Sequence, residues 1–167
     1  IKRRNKMDFD FGIEEIEDIH KRYKWDNISN SSIAVSIQVR PVICYDLIDL
    51  SETAYHFHQS CFDNTDIKEY FSSLKYISLH TIDDLIQNSS HNFHFHKSHI
   101  KGNLKRILIQ LHKKNDIFPE IYHFALYTSN NKADRKTGIK SPRIYFVIGY
   151  SGMIYPLFYD PYHEINP

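Results

Sequence analysis

The sequence predicts an α+β fold, with an antiparallel sheet that ends in a three-stranded C-terminal meander and with helices packed on one face. Three observations carry that expectation. Residues 120–167 contain three strand-like runs, EIYHFALYTS, PRIYFVIGY and MIYPLFYD, separated by turn signals. Two stretches, around 67–77 and 100–111, place apolar side chains at helical spacing. No repeat or long linker divides the 167 residues, so residues 7–167 are expected to form a single domain, preceded by a basic leader or cloning remnant over 1–6.

From the N-terminus, Met7–Phe11 alternates apolar and polar residues as a half-buried strand does, and Gly12 breaks it. Ile13, Ile16 and Ile19 then form an apolar stripe, with acids early and Lys21 and Arg22 late, which suits a short helix and its dipole. Ile33–Val39 is rich in β-branched residues and reads as a strand, limited by Pro41 and continued by Val42–Tyr45. Ser51 is placed to open a helix that turns Ala54, Phe57 and Phe62 inward. Thr65 or Asp66 caps a second helix, carrying Ile67, Tyr70, Phe71, Leu74 and Ile77, and Thr81–Asp84 reads as a capping box for a third, short one.

HNFHFH, residues 91–96, is expected to be extended. A helix then starts at Ser98 with Ile100, Leu104, Ile107, Leu108 and Leu111 on one face. The meander follows as strands over 122–128, 143–148 and 153–159, with a tight hairpin at Tyr150-Ser151-Gly152. Between the first two strands lies a long polar loop, 129–142, whose length marks it as functional or mobile.

Composition narrows the function classes. An aromatic share of 14% and an apolar share of 41% support a packed core and exclude a disordered chain. A net charge of +1 excludes a protein that coats nucleic acid indiscriminately, so any electrostatic role falls to local patches. Cys44 and Cys61 lack metal-ligand spacing and read as free thiols in a reducing compartment. No apolar stretch is long enough to span a bilayer, so a cytoplasmic protein with no membrane partner is expected.

Three constellations carry chemistry. The first is the histidine run, in which His94 and His96 project from one face of an extended chain with His99 close by. These are the residues that would ligate a metal if the protein held one, although no carboxylate accompanies them. The second is basic: residues 97–114 hold six lysines and arginines and no acid, and the 129–142 loop adds Lys132, Arg135, Lys136 and Lys140 against Asp134. Lys101, Lys105, Arg106, Arg135 and Lys140 are the candidate contacts to a nucleic-acid backbone. The third is the tail, where Asp160-Pro161 ends a strand and leaves His163 just off the sheet edge. A tight hairpin brings Arg143 towards Asp160, so Arg143, Tyr159 and His163 are expected in one region. A base, an acid and a fixed cation suffice to cleave RNA without metal.

A chain ending in a β-meander, with basic residues at its start and Tyr and His at its end, is similar over residues 98–167 to the RelE-like ribonuclease toxins of bacterial toxin–antitoxin systems. The likeness is architectural, without a close motif match. It implies a small α+β domain that cleaves RNA with Arg or Lys, Tyr and His groups, needs no cofactor, and has a protein antitoxin as partner. On that basis Arg143 would stabilise charge on phosphorus, His163 would act as acid or base, and Tyr159 or His123 would assist. The remaining alternatives are a non-enzymatic interaction module of a mobile element and a His-ligated metal protein.

Overall fold

The computed structural model describes residues 39–48, 50, 54–90, 93–112, 118–149 and 152–167. The expected 7–11 strand, the 13–22 helix and the 33–38 part of the next strand lie outside them. In chain order the elements are β1 (Val42–Ile43), α1 (Asn64–Leu79), α2 (Ile82–Gln87), β2 (His96–Lys97), α3 (Gly102–His112), β3 (Ile121–Ala125), β4 (Arg143–Ile148) and β5 (Met153–Asp160).

The strands form one sheet in the order β1-β5-β4-β3-β2. β3, β4 and β5 pair antiparallel in succession, with β3 ending at Ala125 rather than at 128, and β2 adds antiparallel to β3. β1 adds to β5 in parallel, so the sheet is mixed and the expectation of a purely antiparallel sheet is corrected. The strand character of Val42–Tyr45 cannot give the strand's direction, because its partner lies more than a hundred residues away. A bond from Cys44 N–H to the Ile154 carbonyl, 2.9 Å, continues this edge.

Helices cover both faces, not one. Side chains alternate along β4. Ile144, Phe146 and Ile148 pack with Tyr70 and Ile77 of α1 and with Ile82 and Leu85 of α2. Tyr145 and Val147 pack with Leu104, Ile107 and Leu108 of α3. The reason is visible in the strand itself: RIYFVI is buried at every position, which requires cover on both sides. Tyr145 pairs with Phe158 and Phe146 with Pro156, so Leu157 is an extra residue on β5. This bulge accommodates Pro156 in an interior strand, and it turns both Leu157 and Phe158 towards α3.

The start of α1 is a capping box at Asp63, two residues before Thr65, the earlier of the two expected caps. Asp63 accepts from the backbone N–H groups of Thr65 and Asp66, at 2.9 and 3.1 Å, and Asp66 accepts from Asp63 N–H at 3.3 Å. Tyr70 and Ile77 face the core, whereas Ile67 and Phe71, expected inward, are exposed. The Thr81–Asp84 box opens α2 as the sequence predicts. No helix runs through residues 54–62; this segment docks on the end of β5 instead, where Tyr55 C=O accepts from Tyr159 N–H at 2.8 Å and Gln59 Nε2 donates to Tyr159 C=O at 3.2 Å. α3 begins at Gly102, four residues after the expected Ser98, because Ser98 N–H is engaged by the Ile121 carbonyl at 2.7 Å and so prolongs the β2–β3 pairing. Extended structure at 91–96 is limited to His96 among the described residues, as His94 takes a left-handed φ of 50°. No helix among the described residues is long and apolar enough to cross a membrane.

Candidate functional site

Strand register builds a row of polar rings on the α3 side of the sheet. His96 of β2 stands beside His123 of β3, which stands beside Tyr145 of β4. Their ring centroids are 4.2 Å and 5.3 Å apart. One step along the same face of β4 lies Arg143, paired in register with Asp160 at the end of β5. Ser98, two residues past His96, places Oγ 2.6 Å from His123 Nδ1.

The tail completes the cluster. Pro161 stops β5, and the Asp160 carboxylate accepts from Tyr162 N–H at 3.3 Å and Ile165 N–H at 2.7 Å, curling the chain back over the sheet. Ile165 is thereby buried in the α3-side core. Asn103 Nδ2 donates to the Glu164 carbonyl at 2.9 Å, and Arg135 grips the Glu164 carboxylate with Nη2 and Nε at 2.8 and 3.3 Å while lying over the Tyr162 ring. Held between these anchors, His163 adopts φ 57° with its ring 6.5 Å from that of His123. Among the described residues the only non-glycine left-handed backbones are His94 and His163. Each costs roughly 1–2 kcal/mol, and such strain gathers at functional sites.

Burial and the neighbouring charges act on the two histidines in one direction. Burial first, and then the charges of His96, Arg143, His163 and His94, hold the His123 imidazole down at about 3. Burial, followed by Arg143, His94 and His96, holds His163 at about 4. Burial also lowers Arg143, against the pull of Tyr145 and Asp160, and raises Asp160. Both histidines are therefore neutral at pH 7, and an entering anion would favour their protonation.

Two donors in the cluster are incomplete. Arg143 Nη1 donates to the carbonyls of Tyr127, Ser141 and Pro142 and to Ser141 Oγ, at 3.1–3.3 Å, but its Nε is buried without a partner. Tyr145 OH, two residues on, is likewise buried and unpartnered. The third such atom among the described residues is His56 Nδ1. Buried donors of this kind are rare, and two on one face of one strand call for an acceptor.

Of the sequence-predicted catalytic residues, Arg143, His123 and His163 are brought together here. Tyr159 is not. It faces the opposite side of the sheet, where its OH donates to Asp66 at 2.7 Å. Lys140 lies in that same network, with Nζ 2.5 Å from Asp66, 2.8 Å from Asp63 and 3.0 Å from the Cys61 carbonyl. Burial opposes the Lys140 charge, but the bonds to Asp63 and Asp66 outweigh it and raise its ammonium above the ordinary lysine value. Lys140 thus fastens the 126–142 loop to α1. Arg135 fastens the tail. Lys101, Lys105 and Arg106 remain exposed on and beside α3, with Arg106 Nη2 donating to Asn103 Oδ1 at 3.0 Å.

The metal alternative placed His94, His96 and His99 together. The first two rings are 6.1 Å apart and His99 is exposed. No group of three or more His, Cys, Asp or Glu is placed to hold a metal ion among the described residues. Burial raises both Cys44 and Cys61, which keeps them as thiols.

Sequence reasoning missed Ser98 and saw His96 only as a metal ligand. The spacing His94, His96, Ser98 signals one face of an extended chain, but the register that sets His123 against it is not written in local sequence.

No protein-family model, no curated protein and no solved structure matches this chain.

Proposed function

We propose that this protein handles the phosphate backbone of RNA and that its activity is metal-independent RNA cleavage at the His123–His163–Arg143 cluster, in the bacterial cytoplasm as a toxin or defence component. The observation that carries this reading is the pair of unpartnered buried donors, Arg143 Nε and Tyr145 OH, beside two neutral histidines whose strongest charged neighbours are cationic. A phosphate oxygen supplies the acceptor that both donors lack and adds a negative charge beside the two histidines.

In this mechanism neutral His163 takes the proton of a ribose 2′-hydroxyl. The 2′-oxygen forms a bond to phosphorus, the bond from phosphorus to O5′ breaks, and O5′ leaves with a proton from water, which the His163 imidazolium replaces. Arg143, whose Nη1 protons are shared among four oxygen acceptors, supplies positive charge without reorganisation as the phosphorane forms. Lys101, just before α3, and Lys105 and Arg106 on its exposed side guide the strand towards the tail.

The test is cleavage of a single-stranded RNA in EDTA, comparing the wild type with His163→Asn. Asparagine tolerates the left-handed backbone at 163, so the fold is retained. Cleavage by the wild type and a loss of about 10²–10⁴-fold in the variant are expected. No cleavage by the wild type, or equal cleavage by both, contradicts the assignment.

A protein partner is the second reading, favoured by the exposed apolar side chains Ile67, Phe71 and Leu79 on α1. An antitoxin bound there would leave the histidine cluster free, and Phe71→Ser would weaken that complex without changing cleavage.

A further inference from the structure

We infer that Ser98 is a positioning residue that fixes the neutral His123 ring with its proton on Nε2, so that His123 offers a donor to a phosphate oxygen and His163 is left as the sole base. The division of roles rests on the ribonuclease reading above; the tautomer does not.

The warrant is hydrogen-bond satisfaction in a dry place. Ser98 and His123 are 3% and 4% exposed, and Ser98 Oγ lies 2.6 Å from His123 Nδ1. Among the described residues Ser98 Oγ has no other partner. A serine hydroxyl carries one proton, and it must go somewhere. If Nδ1 carried the ring proton, it would donate to Ser98 Oγ, and the hydroxyl proton would be buried with no acceptor, at a cost of about 1–3 kcal/mol. If Ser98 donates instead, Nδ1 accepts, the hydroxyl proton has its acceptor, and the ring proton sits on Nε2.

The backbone sets the geometry. Ser98 N–H bonds to the Ile121 carbonyl at 2.7 Å, and His123 is two residues further along β3, so the β2–β3 pairing brings the hydroxyl to the ring. Protonating both nitrogens would break this arrangement. The groups that face the ring also oppose a second proton: His94 and His96 from the β2 side, Arg143 from β4 and His163 from the tail, with the neutral Tyr145 phenol alongside.

A ring so held has its bare nitrogen occupied by Ser98 and cannot accept a proton from substrate through Nε2. It acts as a neutral hydrogen-bond donor. His163 is only half-buried and stands 6.5 Å away, so it is the imidazole able to change protonation state during turnover.

The experiment is a long-range ¹H–¹⁵N correlation spectrum of the histidine rings in uniformly labelled, ligand-free protein at pH 7. The wild type is expected to show His123 as the single Nε2–H tautomer. Ser98→Ala is expected to show mixed tautomers and cleavage reduced about 10–100-fold, and Ser98→Thr, which keeps the hydroxyl, to restore both. An Nδ1–H tautomer in the wild type overturns the assignment whether or not any variant folds. So does a single Nε2–H tautomer that persists in Ser98→Ala. Full cleavage by Ser98→Ala despite mixed tautomers overturns the positioning role. An Nε2–H tautomer in a wild type that cleaves no RNA overturns the ribonuclease reading and leaves the Ser98–His123 assignment standing.

Discussion

Replacing Asp66 with Ala is expected to lower the unfolding free energy by about 3–5 kcal/mol, the scale for removing one partner of a buried ion pair. Asp66 is 0% exposed and joins four parts of the chain. It accepts from Tyr127 OH at 2.8 Å, Tyr159 OH at 2.7 Å, Lys140 Nζ at 2.5 Å and, at 3.3 Å, the N-cap backbone of Asp63. Its loss removes the acceptor of the Tyr127 phenol, leaves Tyr159 OH with only the Cys61 carbonyl at 3.3 Å, and leaves the Lys140 side chain, only 14% exposed, with that carbonyl and one partly exposed carboxylate. It also removes half of the capping box of α1. Urea unfolding measures the effect: with a typical slope of about 1–3 kcal/mol per molar, the midpoint falls by at least about 1 M. A change below about 1 kcal/mol would mean that the network does not hold in solution. Because this network lies on the face opposite the histidines, a folded Asp66→Asn variant should keep its cleavage activity.

Acid is expected to destabilise the fold in a window set by the histidines. A histidine whose folded value is depressed contributes stability that is complete above the unfolded value of 6.5 and is lost as pH falls towards the folded value. For His123 that window runs from 6.5 to about 3, and for His163 from 6.5 to about 4. The nearly fully buried His123 then gives a slope of about 1.4 kcal/mol per pH unit below 6, and half-buried His163 adds in the same direction. Asp160, raised by burial, acts oppositely as its carboxylate takes up a proton in the folded state. Asp63, held low chiefly by its hydrogen bond to Lys140, loses its contribution only below the ordinary value of 3.8. Between pH 6 and 4.5 the histidines dominate. Urea midpoints measured across that range should fall steadily in the wild type and less steeply in His123→Gln. A flat profile from pH 7 to 4.5 would contradict the buried, neutral state of His123.

The sequence made some of this legible and left the rest to tertiary contacts. Thr81–Asp84 specifies its helix start locally, and the structure shows the same capping box. RIYFVI and MIYPLFY announce their strands because their apolar runs are continuous. The same continuity signalled cover on both faces, which the one-face expectation overlooked. Ser51 suggested a helix, but the segment from Tyr55 to Gln59 satisfies its polar groups on β5 instead, a partner about a hundred residues away. At the site, the approach of Arg143 to Asp160 was legible because β4 and β5 are close in sequence and pair antiparallel. Tyr159, expected in one region with Arg143 and His163, lies on the opposite face because the Leu157 bulge shifts the alternation of β5, and nothing local marks a bulge beyond the presence of Pro156. Arg135 and Lys140 looked like free cations, and each instead has a carboxylate that only the fold supplies.

The central claim, that the cluster is built to receive a phosphate, is tested most directly by titrating the histidine rings by NMR with and without inorganic phosphate. Bound anion adds the opposite charge that His123 and His163 lack. Phosphate should raise both from about 3 and about 4 by one pH unit or more, while exposed His99 stays in place. Titration curves for His123 and His163 that phosphate leaves unmoved, or moves no more than that of His99, would contradict it.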